Sequence, residues 1–228
     1  MFGYFDPMYW LFMLPPLALM LYAQYLVKSR YKKYGMVQTQ RRMTGAETAR
    51  EILRLNGITD VAVQPIPGDL TDNYDPKTKI VHLSEGVYNN TSIAATGIAA
   101  HEIGHAIQHA NGYVPIKARN AIFPISNIGS RFGLYIVFAG FIFNFKPLVF
   151  VGLIFFAFAV LFQLITLPVE FDASRRAMHT LSGSGILTAD EVNGAGKVLG
   201  AAAMTYVAAL LQSIMMLLYY FLRANRRN

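Results

Sequence analysis

Residues 132–167 read FGLYIVFAGFIFNFKPLVFVGLIFFAFAVLFQLITL, and this stretch decides the fold. It is almost continuously apolar and too long for one crossing of a hydrocarbon layer about 30 Å thick. Asn144, Lys146 and Pro147 punctuate it near its first third. Two spans joined by a short polar turn are therefore expected, because helices satisfy their own backbone groups in lipid. Such a hairpin leaves the membrane on the face it entered, which puts the chain before Phe132 and the chain after Leu167 on one side.

Two more runs lie outward of it. Residues 8–27, MYWLFMLPPLALMLYAQYLV, carry no charge and are long enough to span. A signal peptide would place basic residues ahead of its apolar stretch, whereas here Asp6 precedes and Lys28, Arg30, Lys32 and Lys33 follow, so a permanent helix is the reading. Pro15 and Pro16 predict a kink, and Tyr9, Trp10, Tyr22 and Tyr25 suit the interfacial belts. Residues 201–222 form the last run, with Gln212 its strongly polar interior residue and Arg223, Arg226 and Arg227 behind it. The count is about four transmembrane helices.

Composition agrees. With 54% hydrophobic and 14% charged side chains in 228 residues, the chain is too apolar for an ordinary soluble globule, and disorder or fibrous structure is excluded. The absence of cysteine removes disulfide frameworks, thiolate nucleophiles and Cys-based metal sites, so a metal here would use His, Asp or Glu. The net charge of +7 belongs to residues flanking the apolar runs. Arg41, Arg42, Arg175 and Arg176 join the lysines after the first span, and Lys117, Arg119 and Arg131 precede the second. The positive-inside rule then makes both large loops cytoplasmic and both termini external, and nucleic-acid binding has no support.

Between the spans the chain changes character. Residues 44–56, TGAETAREILRLN, begin with the capping-box pair Thr44 and Glu47 and stop at Gly57, which predicts a short amphipathic helix. Residues 61–63 and 80–83 are β-branched runs on either side of the turn-rich PIPGDLTDNYDPKTK, so a small sheet or hairpin is expected. Residues 93–109 read as helix. The expected organisation is an N-terminal span (1–27), a cytoplasmic α+β portion (28–124), a transmembrane hairpin (125–167), a cytoplasmic helix or loop (168–200) and a C-terminal span with a basic tail (201–228).

Chemistry enters at His101-Glu102-Ile103-Gly104-His105, an HExxH motif. On a helix the spacing of four stacks both imidazoles on one face, one turn apart, as a single zinc ion requires. Glu102 then stands beside the metal and can serve as general base toward zinc-activated water. Two histidines falling four apart by chance is the bland alternative, and the apolar flanks of a packed helix weigh against it.

A catalytic zinc takes three protein ligands and keeps one position open. His109 lies about 12 Å of helix rise beyond His101, too far for the same ion. The metzincin extension fails, because Gln108 and Gly112 occupy its glycine and third-histidine positions. Glu47, Glu51, Glu85 and Glu191 are carboxylates on other segments. Glu170, in LPVEFDASRRAM after the hairpin's return, is the favoured third ligand, since a charge at the end of a span is rare unless solvated or functional. Asp172 competes with it, His179 more weakly. Arg175, Arg176 and His179 are candidates for oxyanion stabilisation, and His82 reads as a surface residue. The strand at residues 80–83 is the candidate for an exposed edge that holds an extended peptide.

At these residues the chain resembles the YugP-like membrane zinc metallopeptidases, a bacterial family also called neutral zinc metallopeptidases. The resemblance runs through LTDNYDPKTKIVHLSEGVYN, AAHEIGHAIQH, PVEFDASRRA and AAAMTYVAALLQ in order. More distantly the plan is similar to HtpX/Ste24-type gluzincins. This implies His101 and His105 as zinc ligands, Glu102 as base and Glu170 as third ligand, in an α-helical membrane protein with a small α+β zincin-like portion. In the distant relatives an Asp stands four residues after the ligand Glu. Here that position is Ser174, which leaves open the group behind the zinc histidines, with Asp172 a substitute.

The function expected is a membrane-integrated zinc metalloendopeptidase acting on membrane proteins or their juxtamembrane tails. The lipid bilayer is its surroundings, a partner protein or second copy of the chain is left open, and the active site faces the cytoplasm of a bacterial cell membrane. An intramembrane protease fits less well, because Asn89, Asn90, Thr91 and Ser92 precede the motif helix. The rival from another class is a scaffold with a structural zinc, which activity of a Glu102 variant would separate from an enzyme.

Overall fold

The computed structural model describes residues 6–226, and Arg227 of the basic tail lies outside the described residues. The chain runs α1 (Pro7–Gly35), α2 (Gly45–Leu55), β1 (Ala62–Ile66), β2 (Asn73–Asp75), β3 (Ile80–Ser84), α3 (Glu85–Tyr88), α4 (Ile93–Ala110), α5 (Val114–Ile142), α6 (Lys146–Gly183) and α7 (Ala189–Arg226). Among the described residues four helices, α1, α5, α6 and α7, are long and apolar enough to cross a membrane. The fold is thus the α-helical membrane class with a small three-stranded sheet.

The helices outrun their apolar cores. α6 holds 38 residues and passes through Pro168 to Gly183, so Glu170 sits inside a helix. Proline removes one backbone donor and strains one turn, but packing on both sides of the lesion can carry a helix across it. α7, also 38 residues, begins at Ala189, well before its apolar run.

Two compact units divide the chain. Among the described residues, the first comprises the chain up to Gln24, Pro115–Pro168 and the chain from Met204 onward, and is the apolar one. Its core gathers Met13, Val137, Val149, Leu153, Tyr219 and Tyr220. Here α5 and α6 pack backbone to backbone: a Cβ on Gly129 would lie 2.0 Å from the Phe155 carbonyl oxygen, and one on Gly140 would lie 2.6 Å from the Val149 nitrogen. Small residues permit this approach, which is how helices associate where lipid removes the hydrophobic drive.

The second unit comprises residues 25–114 and 169–203. α2 opens with the expected capping box, the Thr44 and Glu47 side chains each meeting the other's backbone N–H. It buries Ala49, Ile52 and Leu53 in a core shared with Val81, Leu83, Ile103, Leu181 and Ile186. The sheet has strand order β1-β3-β2, with β1 parallel and β2 antiparallel to β3. The tight connection is therefore the one between β2 and β3, where Asp75 accepts hydrogen bonds from Lys77 N (2.9 Å) and Thr78 Oγ1 (2.8 Å). This corrects the expected edge: β3, residues 80–84, is the central strand, paired on both sides, and cannot take a further strand. The three-residue β2 was hidden within the turn-rich stretch, and it is the strand that covers β3.

Candidate metal centre

α4 starts at Ser92, whose Oγ accepts from Ala95 N at 3.2 Å and so satisfies one of the four unpaired N–H groups of the first turn. The helix then carries His101 and His105 with ring centroids 4.8 Å apart, edge to face. Glu170 arrives from α6. Its Oε2 lies 3.3 Å from His101 Nε2 and 3.5 Å from His105 Nε2. The three ligand atoms all fall within 4.8 Å of one another, and this is the group of metal-ligating side chains found among the described residues. His105 and Glu170 are buried, at 9% and 4% exposure.

The donor set fits zinc. Ligands about 2.0–2.2 Å from a tetrahedral ion stand roughly 3.3–3.5 Å apart, the spacing seen between Glu170 and each imidazole. Two neutral nitrogens and a carboxylate, with no thiolate, leave one position for water or substrate, as in catalytic rather than structural sites.

What lets Glu170 reach this place is Gly104, inside the motif. A Cβ there would stand 2.4 Å from the Ala173 carbonyl oxygen, so the two helix backbones touch one turn along α6 from the carboxylate.

Behind the imidazoles lie hydrogen-bond partners. His101 Nδ1 meets Ser174 Oγ at 3.1 Å, so the serine that replaces the distant relatives' aspartate occupies the place in question. His105 Nδ1 meets Gln108 Oε1 at 3.1 Å. Asp172 turns away from the metal position, accepting from Gln108 Nε2 at 2.9 Å and pairing with both Arg175 and Arg176. Arg176 also lies over the Tyr113 ring, 5.5 Å from its centroid. Both guanidinium groups thus have an anion partner already, and Asp172 and His179 stand outside the metal-ligating group. His109 Nδ1 is 2.8 Å from Tyr74 Oη of β2 and ties the sheet to α4. His82, half-buried on β3, stands in register with Gln64 and Asn73.

Glu102 is buried beside the histidines, at 9% exposure. Burial pushes its carboxyl above the usual range. The two imidazoles oppose the rise, and the charges of Asp72 and Glu170 add to it. Asp72 is itself raised by burial, although it accepts from Ser84 N at 2.8 Å and from Ser84 Oγ at 2.9 Å. Asp72 carries no signal in the sequence reading, and Gln108 enters it only at the metzincin glycine position. Gln108 lies one turn past His105, a spacing that could have drawn attention to it.

A multi-span helical protein whose HExxH helix is completed by a glutamate from a later helix has the plan of a gluzincin-type membrane metallopeptidase. A family model described as "Putative neutral zinc metallopeptidase" matches residues 9–225, and the chain belongs to that family. It is 47% identical over 204 residues to the "Putative membrane protease YugP" of Bacillus subtilis (strain 168), an alignment covering 90% of this chain and 91% of that protein. No solved structure matches the chain. Family and site together make it a zinc-dependent membrane metallopeptidase.

Proposed function

We propose that His101, His105 and Glu170 hold the zinc, that Glu102 is the general base, and that the enzyme cuts within membrane-associated polypeptides from the cytoplasmic side. The observation that carries this is the convergence of three ligand atoms from α4 and α6 within 4.8 Å. Bound there, zinc supplies Lewis acidity toward a scissile carbonyl and makes water a stronger acid. Glu102 takes a proton from the attacking water on a carboxylate oxygen and returns it to the leaving amine nitrogen. Its burial favours this role, since a carboxylate that resists ionisation holds a proton more readily once it has taken one.

The strand order supports a mode of substrate binding. β2 is an edge strand, its Asn73–Asp75 backbone paired with β3 on one side only. An extended peptide adding to that free edge would gain main-chain hydrogen bonds with little demand on sequence.

The test uses full-length protein in detergent, loaded with zinc and offered a quenched peptide library. Glu102→Gln should keep its zinc and lose about 10²–10⁴-fold in kcat. Equal turnover by the two proteins would remove the general base, and absence of turnover in both would favour a scaffold.

A further inference from the structure

Gln108 is not one of the three convergent ligand groups, yet it is fully buried, at 0% exposure. Its amide sits among three groups. Nε2 is 2.8 Å from the Val169 carbonyl oxygen and 2.9 Å from Asp172 Oδ2, while Oε1 is 3.1 Å from His105 Nδ1. A backbone carbonyl offers only lone pairs, and so does a carboxylate paired with the Arg175 and Arg176 guanidinium groups. Both amide hydrogens are thereby claimed. Turning the amide over would set its oxygen against two acceptors and leave both N–H groups facing the ring, so its orientation is dictated by chemistry.

The consequence falls on His105. Its Nδ1 faces an oxygen that can only accept, so Nδ1 carries a proton, which leaves Nε2, on the Glu170 side of the ring, as the nitrogen available to a metal. His101 differs, because the Ser174 hydroxyl opposite its Nδ1 can donate or accept.

We propose that Gln108, clamped by Val169 and Asp172, is a positioning residue that fixes the tautomer and ring orientation of His105 for metal binding. It links the ligand helix α4 to α6 next to Glu170, so the element that brings the third ligand also orients the second. The inference rests on the zinc reading above, and Gln108, Val169 and Asp172 stand outside the three convergent ligand groups.

The experiment reads protonation directly. In zinc-free full-length protein with 15N-labelled histidine, long-range nitrogen–proton correlations show which ring nitrogens carry protons. Wild type should show His105 protonated on Nδ1. Gln108→Met, which keeps length and removes the acceptor, should lose that preference and bind zinc on the order of 10–100-fold more weakly in chelator competition. A His105 Nδ1 without a proton in wild type would overturn the proposal while leaving the zinc site standing, and it can be seen whether or not the variant folds. Unchanged zinc affinity in a folded Gln108→Met protein would also overturn it. A wild type without zinc affinity would take away the underlying reading as well.

Discussion

A carboxyl whose pKa is raised by burial is held in its ionised form at a cost to the fold, and Glu102 is such a group in the metal-free protein. The sign follows from linkage. A folded pKa above the unfolded one means that the penalty is present above the folded value and vanishes below the unfolded value. Glu102→Gln should therefore raise the Tm of the zinc-free protein at neutral pH by roughly a few degrees, with the gain shrinking as pH falls through the carboxylate range. Thermal melts across pH check this, and a gain that grows toward acid would contradict it. The motif residues were legible because a spacing of four along one helix fixes their geometry without long-range information. Glu170 was legible as an acid where a span ends. The clamp on His105 was not, since Gln108 meets Val169 and Asp172 across 61 and 64 positions of sequence.

Between elements, the approach of α4 to α6 sets the distance on which zinc binding depends. Gly104→Ala would drive a methyl group to 2.4 Å from the Ala173 carbonyl oxygen and push the helices apart. Zinc affinity should fall on the order of tenfold or more, because a ligand displaced by about 1 Å loses its bonding geometry. Gly200→Ala is the contrast: nothing stands within 4 Å of a Cβ in that helix, so stability should hold or rise by about 0.5–1 kcal/mol. Equal zinc affinity in the two variants would show that close contact at residue 104 is irrelevant to the site. The capping box at Thr44 and Glu47 could be read in advance because it is local. Strand order could not, because β2 is three residues long and its pairing with β3 depends on the Asp75 turn rather than on hydrophobic alternation.

For the whole molecule, the four apolar helices were apparent from run length, while their extents were not, because α6 and α7 continue past the apolar residues into polar sequence held by packing. The cysteine-free sequence makes sidedness testable, as any introduced thiol stands alone. In intact cells, Phe143→Cys should react with an impermeant maleimide, whereas Lys77→Cys and Ser182→Cys should react only after permeabilisation; the reverse pattern would place the catalytic unit outside. The most direct test of the central claim is an anomalous difference map at the zinc edge from crystals of the full-length protein. A single peak should lie about 2.0–2.2 Å from Nε2 of His101, Nε2 of His105 and a carboxylate oxygen of Glu170. A zinc peak more than about 5 Å from Glu170, well beyond any bonding distance, would contradict the account.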